Sequence, residues 1–269
     1  MNIGANLEKV FSLKDKIILL TGAAGGIGAS LAKGLAGAGG QMALCDISEG
    51  GLAALTSEIE AGGGSAKGYI MNVADMDSLK SAVDAIIADF GRIDVLINCA
   101  GINKREGMLD VTEETYDKIM DINFKGAYFL TQEVGKHMRL TGGGSVINVA
   151  SHNSVAMLGG CSVYGASKSA MAAMTRSVAV EWAQYGIRAN AIAPGHILTQ
   201  LTQVTWDHPE RSAYLKERIA MQRPGTPDEL LGTMILLASD ASSYMSGMMI
   251  HVDGGCLAGG TPWPYDTAY

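Results

Sequence analysis

A chain of 269 residues that is 48% hydrophobic can bury one continuous α/β core or at most two small ones, and a single domain over 1–269 is the default. A formal charge of −7, with only 17% of residues charged, excludes a general electrostatic grip on nucleic acid or an anionic membrane, so any anion must be held by local positive groups. Four scattered cysteines, Cys45, Cys99, Cys161 and Cys256, with no CxxC pair and no ligand-spaced histidines, exclude a disulfide framework and a zinc knuckle; reduced thiols point to the cytoplasm, and no metal is expected.

Residues up to Lys16 carry Glu8, Lys9, Lys14 and Asp15 where a signal peptide would need an apolar core, and no window of apolar residues is long enough to span a membrane. Strand-length apolar runs then alternate with segments of helical period. A strand from Lys16 to Thr21 leads to a helix from Gly26 to Gly37, a strand from Gln41 to Asp46 to a helix from Glu49 to Ala61, and a strand from Ala66 to Met71 to a helix from Met76 to Phe90. After a strand from Ile93 to Asn98 comes one long helix from about Thr112 to Met138, then a strand from Ser145 to Ala150 and a helix near Val163 to Tyr185. A strand from Arg188 to Ala193, a helix from about Pro227 to Ala238 and a strand from Met248 to Val252 close the series.

Runs such as Ile17-Ile18-Leu19-Leu20 are apolar without alternation, as required of strands covered by helices on both faces. The pattern predicts a doubly wound, Rossmann-type parallel sheet of about seven strands, with a core over about 14–255 and a tail over 256–269. The connection over about 195–226 is too long for a simple turn and lies at the sheet edge that holds ligands in such folds, so it is expected to act as a substrate lid.

The first strand runs into Thr21-Gly22-Ala23-Ala24-Gly25-Gly26-Ile27-Gly28 and at once into a helix. Gly22 suits a tight turn, Gly26 and the backbone of Ile27 suit close approach to phosphates, and Gly28 lets the helix pack on the strand, although the spacing is G-x-x-x-G-x-G and not G-x-G-x-x-G. Asp46 ends the second strand eighteen residues beyond Gly28, where a carboxylate can accept from both hydroxyls of a ribose. With no Arg or Lys in the glycine stretch or directly after Asp46, NAD is favoured over NADP. Asp46 as a plain helix cap is the bland alternative, with Ser48 the better placed cap.

Tyr164 and Lys168 stand four residues apart and share a helix face, so the ammonium, together with oxidised nicotinamide, can stabilise the phenolate of a phenol whose ordinary pKa near ~10 is too high for a base at neutral pH. A lowered phenol could take a hydroxyl proton during oxidation or return it during reduction. Together with the glycine loop, Asn98-Cys99-Ala100-Gly101, Asn123, Ser151 and Pro194-Gly195, in this order from Lys16 to Gly255, the pair resembles the short-chain dehydrogenase/reductase family. The resemblance implies a tetrad of Asn123, Ser151, Tyr164 and Lys168. In it Ser151 would hydrogen-bond the reacting oxygen, Lys168 would also hold the nicotinamide ribose, and Asn123 would anchor a water in a proton relay. It further implies cofactor contacts from Asn72, Val73, Asn98, Ala100, Gly101, Pro194, Gly195, the backbone of Ile197 and Thr199, and a homotetramer formed through the two central helices. Ser154 rivals Ser151. Asn72 stands where the family has aspartate, and Cys99 where it has asparagine; Cys99 is read as a small packed hydrophobe.

Lys104, Arg105, His152, Asn153 and His196, with Ser151, follow three strand ends on the expected substrate side. Singly these are ordinary loop residues; jointly they suggest a polyhydroxylated, anionic substrate, and the run Gly101-Ile102-Asn103-Lys104-Arg105 resembles the sugar-acid branch of the family. The rivals are a 3-oxoacyl-carrier reductase and a catalytically silent nucleotide sensor.

Overall fold

The computed structural model describes residues 3–261. The first half of the chain forms α1 (Ile3–Phe11), β1 (Ile17–Thr21), α2 (Gly26–Gly37), β2 (Gln41–Asp46), α3 (Glu49–Ala61), β3 (Ser65–Ile70), α4 (Met76–Phe90) and β4 (Val95–Asn98). The second half forms α5 (Glu113–Met120), α6 (Gly126–Met138), β5 (Gly144–Val149), α7 (Ser162–Glu181), β6 (Ile187–Pro194), α8 (Gln200–Trp206), α9 (Pro209–Arg218), α10 (Leu231–Ala238) and β7 (Met249–Val252). All seven strands are parallel, in the order β3-β2-β1-β4-β5-β6-β7. The winding direction reverses between β1 and β4, which opens a crevice at their carboxyl ends.

Successive strand residues feed two separate cores. Ile18, Leu20, Val95 and Ile97 pack with α2, α3 and α10 on one face, whereas Leu19 and Leu96 pack with α4, α6 and α7 on the other. Burial on both faces is why these strands read as unbroken apolar runs. Helix starts follow local chemistry: Ser48, Asp75 and Thr112 accept backbone N–H groups of the first turns of α3, α4 and α5.

Through the middle of the sheet runs a buried polar ladder. Asn98 donates to Thr131 Oγ1 at 2.9 Å and to Asn148 Oδ1 at 2.8 Å, and Asn148 donates to Thr175 Oγ1 at 2.8 Å, linking β4, β5, α6 and α7.

Three features differ from the sequence expectation. The single helix expected from Thr112 to Met138 is divided by a π-helical turn, Asp121–Lys125, followed directly by Gly126, where a Cβ would lie 2.3 Å from the Val73 carbonyl oxygen. The lid contains α8 and α9, and α1 precedes the first strand; at seven, ten and nine residues they are shorter than the window that reveals helical period. The tail beyond Thr261 lies outside the described residues.

Candidate active site

The turns after β1 and β4 are fastened together. The Thr21 hydroxyl accepts the backbone N–H groups of Cys99 and Ala100, each at 3.1 Å. Gly22 has φ +66°, and a Cβ on it would meet the Ala100 Cα at 2.8 Å; a Cβ on Gly28 would lie 2.1 Å from the Gly22 carbonyl oxygen. Only glycine fits either place, as the spacing predicted. Unlike α3, α4 and α5, α2 starts from Gly25 with no side-chain cap, leaving the first-turn amides of Gly26, Ile27 and Gly28 for an anionic ligand such as a pyrophosphate. At the end of β2 the Asp46 carboxylate accepts from Ala24 N and Ser48 N, both at 3.0 Å, which holds it beside the glycine loop with lone pairs to spare for ribose hydroxyls. Ser48, not Asp46, caps α3. These residues fit a dinucleotide.

Other expected cofactor contacts divide. Ala100 and Gly101 line the crevice floor, and Asn72 is exposed after β3 with its Oδ1 taking Ala74 N at 3.1 Å, next to buried Val73. Asn98 is buried at the end of β4, and its side-chain N–H groups donate into the buried ladder, so it supports the following turn from beneath. Cys99 packs against the core as expected, and burial pushes its thiol up to about 11. Beyond β6, Gly195 lies against Asp253, and Thr199 caps α8 while its Cβ sits 3.0 Å from where a Gly26 Cβ would be, bringing the lid onto the glycine loop. The Ile197 carbonyl is occupied by the Thr202 hydroxyl at 2.8 Å.

The four tetrad residues converge. Lys168 Nζ lies 5.8 Å from the Tyr164 ring centroid and donates to the Val149 carbonyl at 2.7 Å. Asn123, in the π-helical turn, grips Ile102 through both halves of its amide, at 2.8 and 2.9 Å, and donates to Ser167 Oγ at 3.2 Å. A Cβ on Gly101 would be 3.4 Å from both Asn123 Oδ1 and Lys168 Nζ. Ser151, and not Ser154, is the serine near enough to favour the Tyr164 phenolate, and its Oγ accepts from Asn153 N at 3.1 Å.

Burial pushes the Tyr164 phenol up from its ordinary value, with the Ser151 hydroxyl opposing, and burial pulls Lys168 down to about 8. Desolvation therefore dominates in the chain by itself, and the phenol is not poised as a phenolate before a cofactor's positive charge is added.

On the substrate side, Lys104 is turned aside: its ammonium pairs with Glu106 at 2.5 Å and with Thr115 Oγ1 at 3.2 Å. Asn153 is buried and its Oδ1 accepts from Leu158 N at 2.8 Å, so it shapes a loop. The His152 and His196 rings lie 4.6 Å apart, and His196 meets the Trp206 ring edge-on at 6.4 Å. Burial lowers His152, and burial together with His152 and the Arg105 charge brings His196 down to about 4. These imidazoles are neutral near pH 7 and offer hydrogen bonds, not the positive charge expected of them. Arg105 has no ion pair among the described residues. It lines a cavity of about 370 Å³ with Leu158, Thr205, Arg211 and Tyr214. Sequence reasoning missed Thr21, whose place just before Gly22 was a usable signal, and Trp206 and Arg211, for which the lid offered none.

Among known proteins, the chain matches the family model described as Enoyl-(Acyl carrier protein) reductase over residues 22–256. It is 39% identical over 254 residues to the 2-dehydro-3-deoxy-D-gluconate 5-dehydrogenase of Escherichia coli (strain K12), covering 92% of this chain and 98% of that protein. It is 37% identical over 245 residues to the D-threitol dehydrogenase of Mycolicibacterium smegmatis, covering 91% and 94%. The crystal structure of a gluconate 5-dehydrogenase from Burkholderia cenocepacia J2315 in complex with NADP and tartrate superposes with a TM-score of 0.91 at 34% identity, covering 94% of this chain and 99% of that one. The ordered motifs, the seven-stranded sheet and the matched model agree: the chain belongs to the short-chain dehydrogenase/reductase family and is an oxidoreductase acting on CH–OH groups.

Proposed function

We propose that the protein is an NAD-dependent dehydrogenase that oxidises a secondary hydroxyl of a sugar acid or related polyol to a ketone. The observation that carries the cofactor choice is Asp46 at the end of β2, followed by exposed, uncharged Ile47: a carboxylate there accepts from ribose hydroxyls and repels a 2′-phosphate. The Burkholderia relative is seen with NADP, so the preference of this chain is tested at this strand end. When bound, oxidised nicotinamide supplies the hydride acceptor and a positive charge near the phenol.

Ser151 donates to the reacting oxygen and orients it toward Tyr164, which takes the hydroxyl proton. Lys168 would hold the nicotinamide ribose, and its ammonium favours the phenolate. Asn123, its side chain committed to Ile102 and Ser167, fixes the floor of the site and has only its main chain to offer a relay water. Arg105 is the anchor for a substrate carboxylate, through paired hydrogen bonds that an ammonium cannot form; the names of the sugar-acid relatives support this substrate class. The segment 195–226 serves as lid over a single catalytic domain. Four free thiols support a reducing cytoplasm, and exposed Tyr128, Phe129 and Val180 on α6 and α7 support a homotetramer.

The test is NADH formation from a panel of sugar acids and polyols, repeated with NADP at saturation. The reading predicts turnover of a sugar acid with NAD preferred; a preference for NADP overturns the cofactor assignment, and a neutral apolar alcohol as best substrate overturns the substrate class.

A further inference from the structure

Arg105 and Arg211 come from different parts of the chain, the loop after β4 and the first turn of α9, yet they line the same cavity of about 370 Å³. That volume lies at the small end of the roughly 300–1,000 Å³ typical of small-molecule sites. Neither guanidinium has an ion pair or a hydrogen bond among the described residues, whereas Arg92 and Arg223 are tied to carboxylates. The loop carrying Arg105 is pinned: Glu106 N donates to the Gly160 carbonyl at 3.0 Å, and a Cβ on Gly160 would lie 3.9 Å from the Arg105 Cβ.

Arg211 is placed against its own helix. A cation in the first turn of a helix opposes the dipole, and α9, ten residues long, has no side-chain cap from His208. An anion held by Arg211 would relieve this unfavourable placement. Glu210, also lining the cavity, is the one carboxylate opposing the two arginines, so the wall is positive on balance. From the cavity wall a chain of neighbouring side chains leads toward the reacting groups. Thr205 on its wall precedes Trp206, which meets His196; His196 packs at a tilt against His152, next to Ser151, and feels the Arg105 charge.

We infer that this cavity is the subsite for the anionic end of the substrate, with Arg211 on the lid completing a two-arginine grip that Arg105 begins. The inference rests on the sugar-acid reading and adds to it a specificity residue on a moving part: the lid closes on a carboxylate and not merely over a ring. A neutral polyol occupies the same reacting groups and leaves both guanidiniums unused.

Saturation with gluconate and with its neutral counterpart glucitol, followed as NADH formation, tests this; a compound not turned over is read as a competitive inhibitor. Arg211→Gln is expected to raise the constant for gluconate about tenfold, the loss of one charge-assisted contact, and that for glucitol far less. Glu210→Gln is expected to act in the opposite direction on gluconate, because it removes the opposing charge without disturbing the lid. If Arg105→Gln separates the two compounds but Arg211→Gln does not, or if Glu210→Gln weakens gluconate as Arg211→Gln does, the two-arginine subsite is wrong and the sugar-acid reading stands. If neither arginine variant separates them, both fall.

Discussion

Replacing Lys168 with methionine is expected to abolish turnover and yet leave the protein as stable as the parent, or more so, at pH 7. The Lys168 side chain is 3% exposed, and loss of water brings its pKa from 10.5 down to about 8. At about 1.4 kcal/mol per pH unit, that difference costs the folded state about 3 kcal/mol wherever folded and unfolded chains both carry the proton, which is below pH 8. Because the folded value is the depressed one, stability is regained as pH climbs from 8 toward 10.5, where the folded chain has released a proton that the unfolded chain still binds. Methionine has similar length and removes the charge, but it orphans the Val149 carbonyl, which accepts from Lys168 at 2.7 Å; a buried acceptor left unpaired costs about 1–3 kcal/mol. The balance is about 0–2 kcal/mol in favour of the variant, up to about 6 °C in Tm for a chain of this size. Melts followed by circular dichroism at pH 7 and pH 10 measure it, and the variant's advantage should shrink at pH 10. A variant several degrees less stable at pH 7, or a gap indifferent to pH, refutes the reasoning.

Tyr164→Phe is expected to lower turnover about 100-fold or more while fold and NAD affinity persist, the range of a positioned acid or base; near-normal rates remove Tyr164 from that role. Asp46→Ala combined with Ile47→Arg should move the ratio of kcat/KM toward NADP, and should also weaken NAD binding, because Asp46 holds the Ala24 and Ser48 amides. Gly28→Ala forces a Cβ within 2.1 Å of the Gly22 carbonyl oxygen, and a strain of about 1–3 kcal/mol on the phosphate loop predicts roughly tenfold or weaker cofactor binding by NADH fluorescence titration. Light scattering at micromolar concentration should find a tetramer; a monomer contradicts the role given to α6 and α7.

The parts of the site legible in the sequence are those whose chemistry is set by spacing along the chain. Gly22, Gly26 and Gly28 straddle one strand-to-helix turn, Asp46 ends the neighbouring strand, and Tyr164 and Lys168 are one helical turn apart, so local geometry alone placed them. Where a side chain had a choice of partners in space, sequence could not decide. Lys104 turns to Glu106, two residues away, and not inward; the Asn98 side-chain N–H groups donate into the buried ladder. His152 and His196 were counted as charges because their names allow it, and only burial together makes them neutral. The π-helical turn leaves no pattern of its own, since it is produced by Gly126 meeting Val73 and Asn123 meeting Ile102 across the fold.

The ladder of Asn98, Asn148 and Thr175 acts as a ruler for the chemistry above it. Asn98 and Asn148 are direct partners between β4 and β5, and Thr175 lies eleven residues, about three turns, after Tyr164 on α7. A slip of one residue between the strands would move Ser151 along the sheet by about 3.3 Å, roughly the whole length of a hydrogen bond, while Tyr164 stayed where the helix put it. The amide N–H groups of Asn98 and Asn148 find their acceptors only in this register, so the spacing of Ser151 from Tyr164 is held by polar contacts in the dry interior, far from any substrate.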